Sequence, residues 1–258
     1  MAGRKAIIPL VVGLASLALL ASTGWTQTDE EIEEALRIFN RAKLLHQEQQ
    51  YERAIKEYES AIKLDGENPF IHNSLGLAFA AVGKFGDALK AFEKAIVLNP
   101  ELTDVYNNMG MVYAEQGDRQ KAFEAFTRVV RNPDYPTPEK ALYNLGNLYL
   151  EDGNLELALM HFRRSVEKQE DFSLGYRGLG RVHFALGDLE AAETSFARAV
   201  ELDDRDVESL FQLAQIHANR GDLEEARKFY RRVVEADRFS PFGLAALRNL
   251  DSLKGSSP

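Results

Sequence analysis

Six copies of one pattern recur along the chain, and their spacing constrains the fold more than any other feature. In each copy an aromatic residue lies between two mostly small residues that are seven positions apart. These aromatic residues are Tyr58, Phe92, Phe126, Phe162, Phe196 and Tyr230. A small residue precedes each of them by 16 positions, namely Ala42, Gly76, Gly110, Gly146, Gly180 and Ala214. A period of about 34 residues predicts a solenoid of stacked units, an architecture that typically binds other molecules.

The spacing within each copy predicts two helices. In the third copy, Tyr106, Gly110 and Tyr113 fall on one helical stripe. Ala122 and Phe126 fall on a stripe of the next helix. We expect the small residues to let two antiparallel helices approach closely, with the aromatic rings filling the space beside that contact.

Turn and cap residues mark where these helices begin and end. In five copies a glycine that tolerates the left-handed conformation closes the first helix: Gly83, Gly117, Gly153, Gly187 and Gly221. The first copy has Gln49 there instead. Asp118, Asp188 and Asp222 follow such glycines and are expected to cap the second helix. Thr137 is expected to cap the first helix of the fourth copy.

This combination resembles the tetratricopeptide repeat, a helix-turn-helix unit of the same length. The resemblance implies an all-α fold, a right-handed α-solenoid of about six repeats with a C-terminal capping helix. Ser240 and Pro241 are typical first residues of such a helix, and Leu244, Leu247 and Leu250 form a stripe suited to sealing the last repeat. The predicted divisions are a leader (1–24), an acidic lead-in (25–34), the repeats (35–239), the capping helix (240–253) and a disordered tail (254–258).

The leader predicts export across a membrane. Arg4 and Lys5 precede an apolar run over 6–21, and small residues follow it. This order is typical of a secretory signal peptide, and the short run favours its removal over an uncleaved signal anchor. The repeats are then expected in a periplasm, with inner-membrane anchoring as the alternative and membrane contact only if the leader stays. Thr23 follows Leu20-Ala21-Ser22 where a lipid-modified cysteine would stand, so no lipid anchor is expected.

Composition and missing motifs argue against several classes of function. The net charge of −9 disfavours nucleic-acid binding, and the chain has no cysteine for a disulfide or a thiolate metal site. A phosphate-binding glycine loop, a zinc-binding histidine pair and a nucleophile elbow are all missing from the sequence. His183 and His217 share the repeat position of Tyr113 and are expected to pack between helices. We therefore predict no catalytic activity, no cofactor and no metal site.

One interval between copies is longer than the others. The small residues of the third and fourth copies are 36 positions apart instead of 34. The extra residues fall within 132–138, where three prolines preclude a continuous helix. This break is either a tolerated surface insertion or a fixed bend between two halves. In the second interpretation its key residues are Pro133, Tyr135 and Pro136, with Tyr135 contacting a partner.

The break and its surroundings resemble more specifically the type IV pilus biogenesis pilotin family. The matching residues are Asn107-Asn108-Met109-Gly110, Asn132-Pro133-Asp134-Tyr135-Pro136 and Leu213-Ala214-Gln215-Ile216-His217. The resemblance implies a periplasm-facing protein that helps an outer-membrane secretin reach its site and assemble. Those proteins are lipoproteins, and Thr23 departs from that pattern, which puts lipid-based delivery in doubt.

The inside of the curved solenoid is the expected binding surface. Positions five and nine of the first helix in the second to sixth repeats should point there: Asn73, Leu77, Asn107, Met111, Tyr143, Asn147, Arg177, Arg181, Phe211 and Gln215. All of these except Leu77 are predicted to contact the partner. Asparagine can bond to peptide amides, arginine to a carboxylate, and the aromatic rings can form apolar pockets. The pattern favours a protein or an extended peptide segment as the partner.

Two functions fit this sequence. The first is a non-catalytic protein-binding scaffold in the cell envelope, which by resemblance assists secretin or type IV pilus assembly. The alternative is a structural or oligomerisation module for envelope maintenance without any link to pili.

Overall fold

The computed structural model describes residues 28–254, which form thirteen helices and, within that range, no strands. The helices are α1 (Asp29–Gln47), α2 (Tyr51–Leu64), α3 (Pro69–Ala81), α4 (Phe85–Leu98), α5 (Thr103–Glu115), α6 (Arg119–Arg131), α7 (Glu139–Glu151), α8 (Leu155–Lys168), α9 (Ser173–Ala185), α10 (Leu189–Leu202), α11 (Val207–Arg220), α12 (Leu223–Ala236) and α13 (Pro241–Lys254). The predicted all-α fold is confirmed. The predicted leader (1–24) and all but the first residue of the predicted tail lie outside the described residues.

Consecutive helices pair into six hairpins that stack in order, and α13 packs against α11 and α12. Each odd-numbered helix also contacts the next odd-numbered helix, whereas no two even-numbered helices of the described chain touch. In a curved stack, neighbours lie closer on the inside than on the outside. The odd-numbered helices therefore line the inner surface. None of the helices within 28–254 has the length and apolar character needed to cross a bilayer.

An aromatic ring set against a backbone glycine holds each central hairpin together. A Cβ atom on Gly110 would lie 2.6 Å from the ring of Phe126, which is buried. Gly146 has the same relation to Phe162, whose other side packs on Gly178 of the next hairpin. The predicted close approach of the two helices of a hairpin is therefore confirmed. Glycine has no side chain, and the aromatic ring of the partner helix occupies the space where a Cβ atom would lie.

Hydrophobic clusters join the second helix of one hairpin to the first helix of the next. Phe126 and Val129 of α6 pack with Ala141, Leu145 and Leu148 of α7. This cluster crosses the proline-rich break, so the core continues from the third hairpin into the fourth.

The residues of the break are tied to the preceding hairpin. The Asn132 side-chain amide donates to Thr103 Oγ1 at 2.9 Å, and the Tyr135 hydroxyl donates to Asp104 on α5. Burial, together with this bond, raises the pKa of Tyr135 to about 12. Thr137 does not cap the next helix as predicted. Pro138 already has near-helical backbone angles, and α7 begins directly after it.

The turn glycines behave as predicted, because all five have positive φ angles of 73° to 89°. Gln49, which replaces the glycine in the first hairpin, has the same kind of backbone with φ of 59°. Asp118 and Asp188 accept hydrogen bonds from backbone N–H groups of the helices that they cap, as predicted. Asp222 makes no such bond, so its predicted capping role is wrong, and its carboxylate instead lies 3.6 Å from His217.

The two ends of the stack differ from its middle. The first helix begins at Asp29 with a capping box between Thr28 and Glu31, so most of the acidic lead-in is helical. At the other end, Leu250 packs into the last core cluster, whereas Leu244 is exposed. The predicted sealing stripe is therefore partly wrong. In the repeats, the residue at the position of Leu244 packs on the second helix of the same hairpin. In the described chain no second helix follows α13.

We expect Gly110→Leu to destabilise the protein by about 3 kcal/mol, because the new side chain overlaps the Phe126 ring. Chemical denaturation monitored by circular dichroism measures this loss. Combining Gly110→Leu with Phe126→Ala should recover part of it. Gly86→Ala is the control, since a Cβ there meets nothing within 4 Å. An unchanged stability of the Gly110→Leu protein would contradict the ring-on-glycine contact.

We expect Gln49→Gly to stabilise the protein by about 1 kcal/mol, because glycine adopts positive φ without steric cost. The opposite change, Gly117→Ala, should destabilise it by about the same amount, although a Cβ there meets no neighbour. Thermal melts of both variants beside the original protein test this. Equal melting temperatures would show that the turn backbone carries no strain at Gln49.

Candidate functional site

The inner surface formed by the odd-numbered helices, called the groove below, is crossed by a ladder of asparagine side chains. Asn108 of α5 donates to Asn73 Oδ1 of α3 at 3.0 Å, and Asn144 of α7 donates to Asn107 Oδ1 of α5 at 3.2 Å. Asn107 is almost fully buried. These side-chain amides therefore bond to each other and join α3, α5 and α7. Some of the hydrogen-bonding groups predicted to bind a peptide are already used within the protein.

Two arginines connect three helices in the C-terminal half of the groove. The Arg177 guanidinium lies 3.1 Å from Asp206, 3.5 Å from Glu208 and 3.3 Å from the Tyr143 hydroxyl. Burial lowers the pKa of Arg177, but the bond to Tyr143 and the charge of Asp206 outweigh it and raise the pKa above its usual value. Arg177 is therefore a charged structural tie between α7, α9 and α11.

Arg181 makes the parallel connection one turn further along α9. It donates to Asn147 Oδ1 at 3.1 Å and lies 3.5 Å from Glu208. Together with Arg177, it faces the two carboxylates of Asp206 and Glu208, so this part of the groove has no net charge. These arginines are therefore already paired, because acidic residues at the start of α11 fold back onto them.

The remaining predicted groove residues divide into buried and open ones. Phe211 is buried and packs against the rings of Tyr230 and Phe242, so it belongs to the core and offers no pocket to a ligand. Gln215 is partly exposed on the same helix. Met111 is the most open of the predicted set, with half of its surface exposed.

A cleft of about 500 Å³ surrounds Met111 between α5 and α7. Its other walls include Asn144, Asn147 and Arg181 on one side and Arg119 on the other. The Arg119 guanidinium is held by Glu151 at 2.6 Å, Asp152 at 2.7 Å and the Leu148 carbonyl at 2.6 Å. The cleft thus combines one flexible apolar side chain with a neutral, hydrogen-bonding rim.

The N-terminal end of the groove is apolar, which the sequence reasoning missed. Leu36 and Phe70 are 53% and 56% exposed and occupy the same repeat position as Glu208. Because Glu208 reaches the groove arginines, this position faces the groove. Aligning the repeats at this position would have revealed the apolar pair at the N-terminal end, since the six residues in order are Leu36, Phe70, Asp104, Lys140, Leu174 and Glu208.

A second unpredicted residue lies in a smaller cleft on the other side of Arg181. Gln212 lines this cleft of about 240 Å³ together with Phe184 and Glu208. Its Oε1 atom is buried and accepts no hydrogen bond within the described structure. Sequence alone gave no signal for it, since glutamine on a helix is normally solvated.

Several histidines of the described residues pack against aromatic rings. Within 28–254, no group of three or more histidine or carboxylate side chains is placed to hold a metal ion. His161 is buried and stacked on Tyr149, and burial lowers its pKa to about 4, with Arg164 adding to the shift. His217 is stacked on Phe229, in agreement with a packing role.

Solved structures share this fold at low sequence identity. PilW, described as a widely conserved type IV pilus biogenesis factor, is 21% identical, with a TM-score of 0.71 over 83% of this chain and 99% of PilW. PilF of Pseudomonas aeruginosa is 15% identical, with a TM-score of 0.72 over 85% of this chain and 99% of PilF. YrrB, described as having an unusual peptide-binding site, is 20% identical, with a TM-score of 0.51 over 74% of this chain and 97% of YrrB.

None of the curated protein sequences matches this chain significantly. Family models described as tetratricopeptide repeats match residues 42–83 and 78–117, residues 101–171 and 139–205, and residues 177–241. Together these matches run without a gap from residue 42, near the end of α1, to residue 241, the first residue of α13. The chain therefore belongs to the tetratricopeptide repeat family.

Proposed function

We propose that this protein is a non-catalytic scaffold that binds a segment of another protein in its groove. The observation that carries this proposal is the open cleft around Met111, a half-exposed apolar side chain set between amide groups on a rigid inner surface. Exposed methionine is typical of surfaces that adapt to apolar ligand side chains. The asparagine ladder and the two arginine ties hold the surrounding helices in place before any partner binds.

The groove favours an extended segment without a strong net charge. Its C-terminal half is electrically balanced, and its N-terminal end presents Leu36 and Phe70. Apolar side chains of the ligand would cover Leu36, Phe70 and Met111, while its backbone amides would pair with the groove amides. A ligand carboxylate would have to compete with Glu208 for Arg181. We therefore expect apolar contacts to contribute more to the affinity for the ligand than a bond from a ligand carboxylate to Arg181.

We place this binding role in the cell envelope, in the assembly of type IV pili. The leader pattern and the residues around the proline-rich break support this placement. The shared fold with PilW and PilF over nearly their whole length supports it as well. A secretin subunit is the partner that the resemblance implies. The alternative function, an oligomerisation module, is favoured by one separate observation, the exposed apolar face of α1.

We expect Phe70→Asp combined with Met111→Glu to reduce binding of the natural partner at least tenfold, because both changes place a charge in an apolar contact. Photo-crosslinkers placed in the groove of the full chain, expressed in its own envelope, identify the partner by mass spectrometry. The amount of assembled secretin is measured in the same cells. Met160→Glu is the matched control, since Met160 is similarly exposed on the outer helix α8.

Equal partner yields from the groove variant and the Met160→Glu control would overturn the binding proposal. If groove crosslinks are unchanged in a strain without secretin, the groove binds another protein and the pilus assignment is wrong. Reversing the charge of Arg177 is a poor test, because it would bring like charges beside Asp206 and disturb the fold.

A further inference from the structure

The first helix carries an exposed acidic and apolar face. Ile32, Leu36 and Leu44 are 43%, 53% and 61% exposed. Leu44 lies opposite the buried Ala35 and Ala42, and Ile32 and Leu36 lie on one flank of them. Five of the first six residues of α1 are acidic. Leu36 also occupies the repeat position that borders the groove. A helix face with three large apolar side chains in solvent and a dense negative charge is typical of a protein-binding surface.

The outer face of α6 has the opposite character. This helix has four basic residues and one acidic residue, although the whole chain carries −9. In the other even-numbered helices the excess of basic over acidic residues is at most one. Two of the four basic residues are neutralised by neighbours, because Arg119 is held by Glu151 and Asp152, and Lys121 by Asp118. The remaining positive charge of α6 is that of Arg128 and Arg131, near the proline-rich break.

Two arginines on this face lack acidic partners. Arg128 is stacked on the Tyr106 ring with its guanidinium carbon 4.1 Å from the ring centre, and Arg131 is exposed. Neither forms an ion pair with any residue in 28–254. Both charges are therefore available to carboxylates from outside the molecule.

The surface beside these arginines is concave and partly apolar. A cleft of about 600 Å³ is lined by Phe123, Thr127, Arg128 and Arg131, and by one acidic residue, Glu124. A second cleft of about 290 Å³ adjoins it through Phe123 and is lined by Leu148, Tyr149 and others. Depressions of this kind can accept the side chains of isoleucine and leucine while the arginines meet carboxylates at the rim.

We propose that the exposed face of α1 in one copy of this chain docks on the outer face of α6 in a second copy. The charges are complementary, and each face supplies the apolar surface that the other would cover. Within one molecule α1 and α6 do not touch, because α2 to α5 lie between them in the stack. The contact therefore joins two molecules and makes the protein self-associate.

Sedimentation equilibrium of the purified full chain tests this proposal, with mass measured against concentration at low and high salt. We expect association that weakens with salt, because the contact joins exposed charges. Arg128→Glu with Arg131→Glu should weaken it at least tenfold, and so should Glu30→Lys with Glu33→Lys. The control is Arg163→Glu with Arg164→Glu, which removes two exposed arginines from α8 and should change nothing.

Mixing the α1 variant with the α6 variant gives the decisive result. Each is expected to associate weakly with itself, whereas the mixture regains association because reversed charges again face each other. Circular dichroism confirms that all variants keep their helix content. A single-chain mass at every concentration would overturn the proposal, and so would association that the α6 variant leaves unchanged or that the mixture fails to restore. The experiment uses the purified chain without a groove ligand, and the residues that it substitutes, Glu30, Glu33, Arg128 and Arg131, are not assigned to the groove. Its failure would therefore leave the binding proposal standing.

Discussion

The structure depends on aromatic rings that pack directly against the backbone of a partner helix. In the four central hairpins, a glycine in the first helix leaves just enough room for a phenylalanine ring from the second. At Phe162 a glycine of the following hairpin closes the other side of the ring. The same contact therefore fixes both the geometry within a hairpin and the spacing to the next one. Stacked hairpins then bury a segmented core without any long-range crossing of the chain.

This packing decides what the protein can offer to a partner. Within the described chain each odd-numbered helix contacts the next odd-numbered helix, whereas even-numbered helices do not contact one another. Side chains of the odd-numbered helices therefore meet along the groove and can bond from repeat to repeat. Asparagines join the second, third and fourth hairpins, and arginine–carboxylate pairs join the fifth hairpin to the sixth. The groove is therefore rigid and neutral towards its C-terminal end, and apolar and more open near Leu36, Phe70 and Met111. We infer that affinity for a partner arises mainly at the apolar end.

The proline-rich break illustrates how an irregular segment is absorbed. Its prolines end α6 and separate it from α7, yet Asn132 and Tyr135 bond back to α5, and the core cluster passes beneath the break. The same region has the unpaired Arg128 and Arg131 of α6, next to two clefts. An insertion of two residues thus coincides with the most distinctive surface of the molecule outside the groove.

The sequence by itself determined the hairpins, their number, the glycine turns and the ring-on-glycine contacts. Each of these depends on residues close together in the chain and on a period that repeats six times. Only the tertiary structure decided the character of the surface. Asp206 and Glu208 neutralise arginines about 30 positions earlier, Phe211 turns into the core, and Leu36 and Phe70 open the groove with apolar side chains. These outcomes depend on contacts between neighbouring repeats, where a side chain's partner is set by stacking geometry and by burial, and no local pattern encodes it.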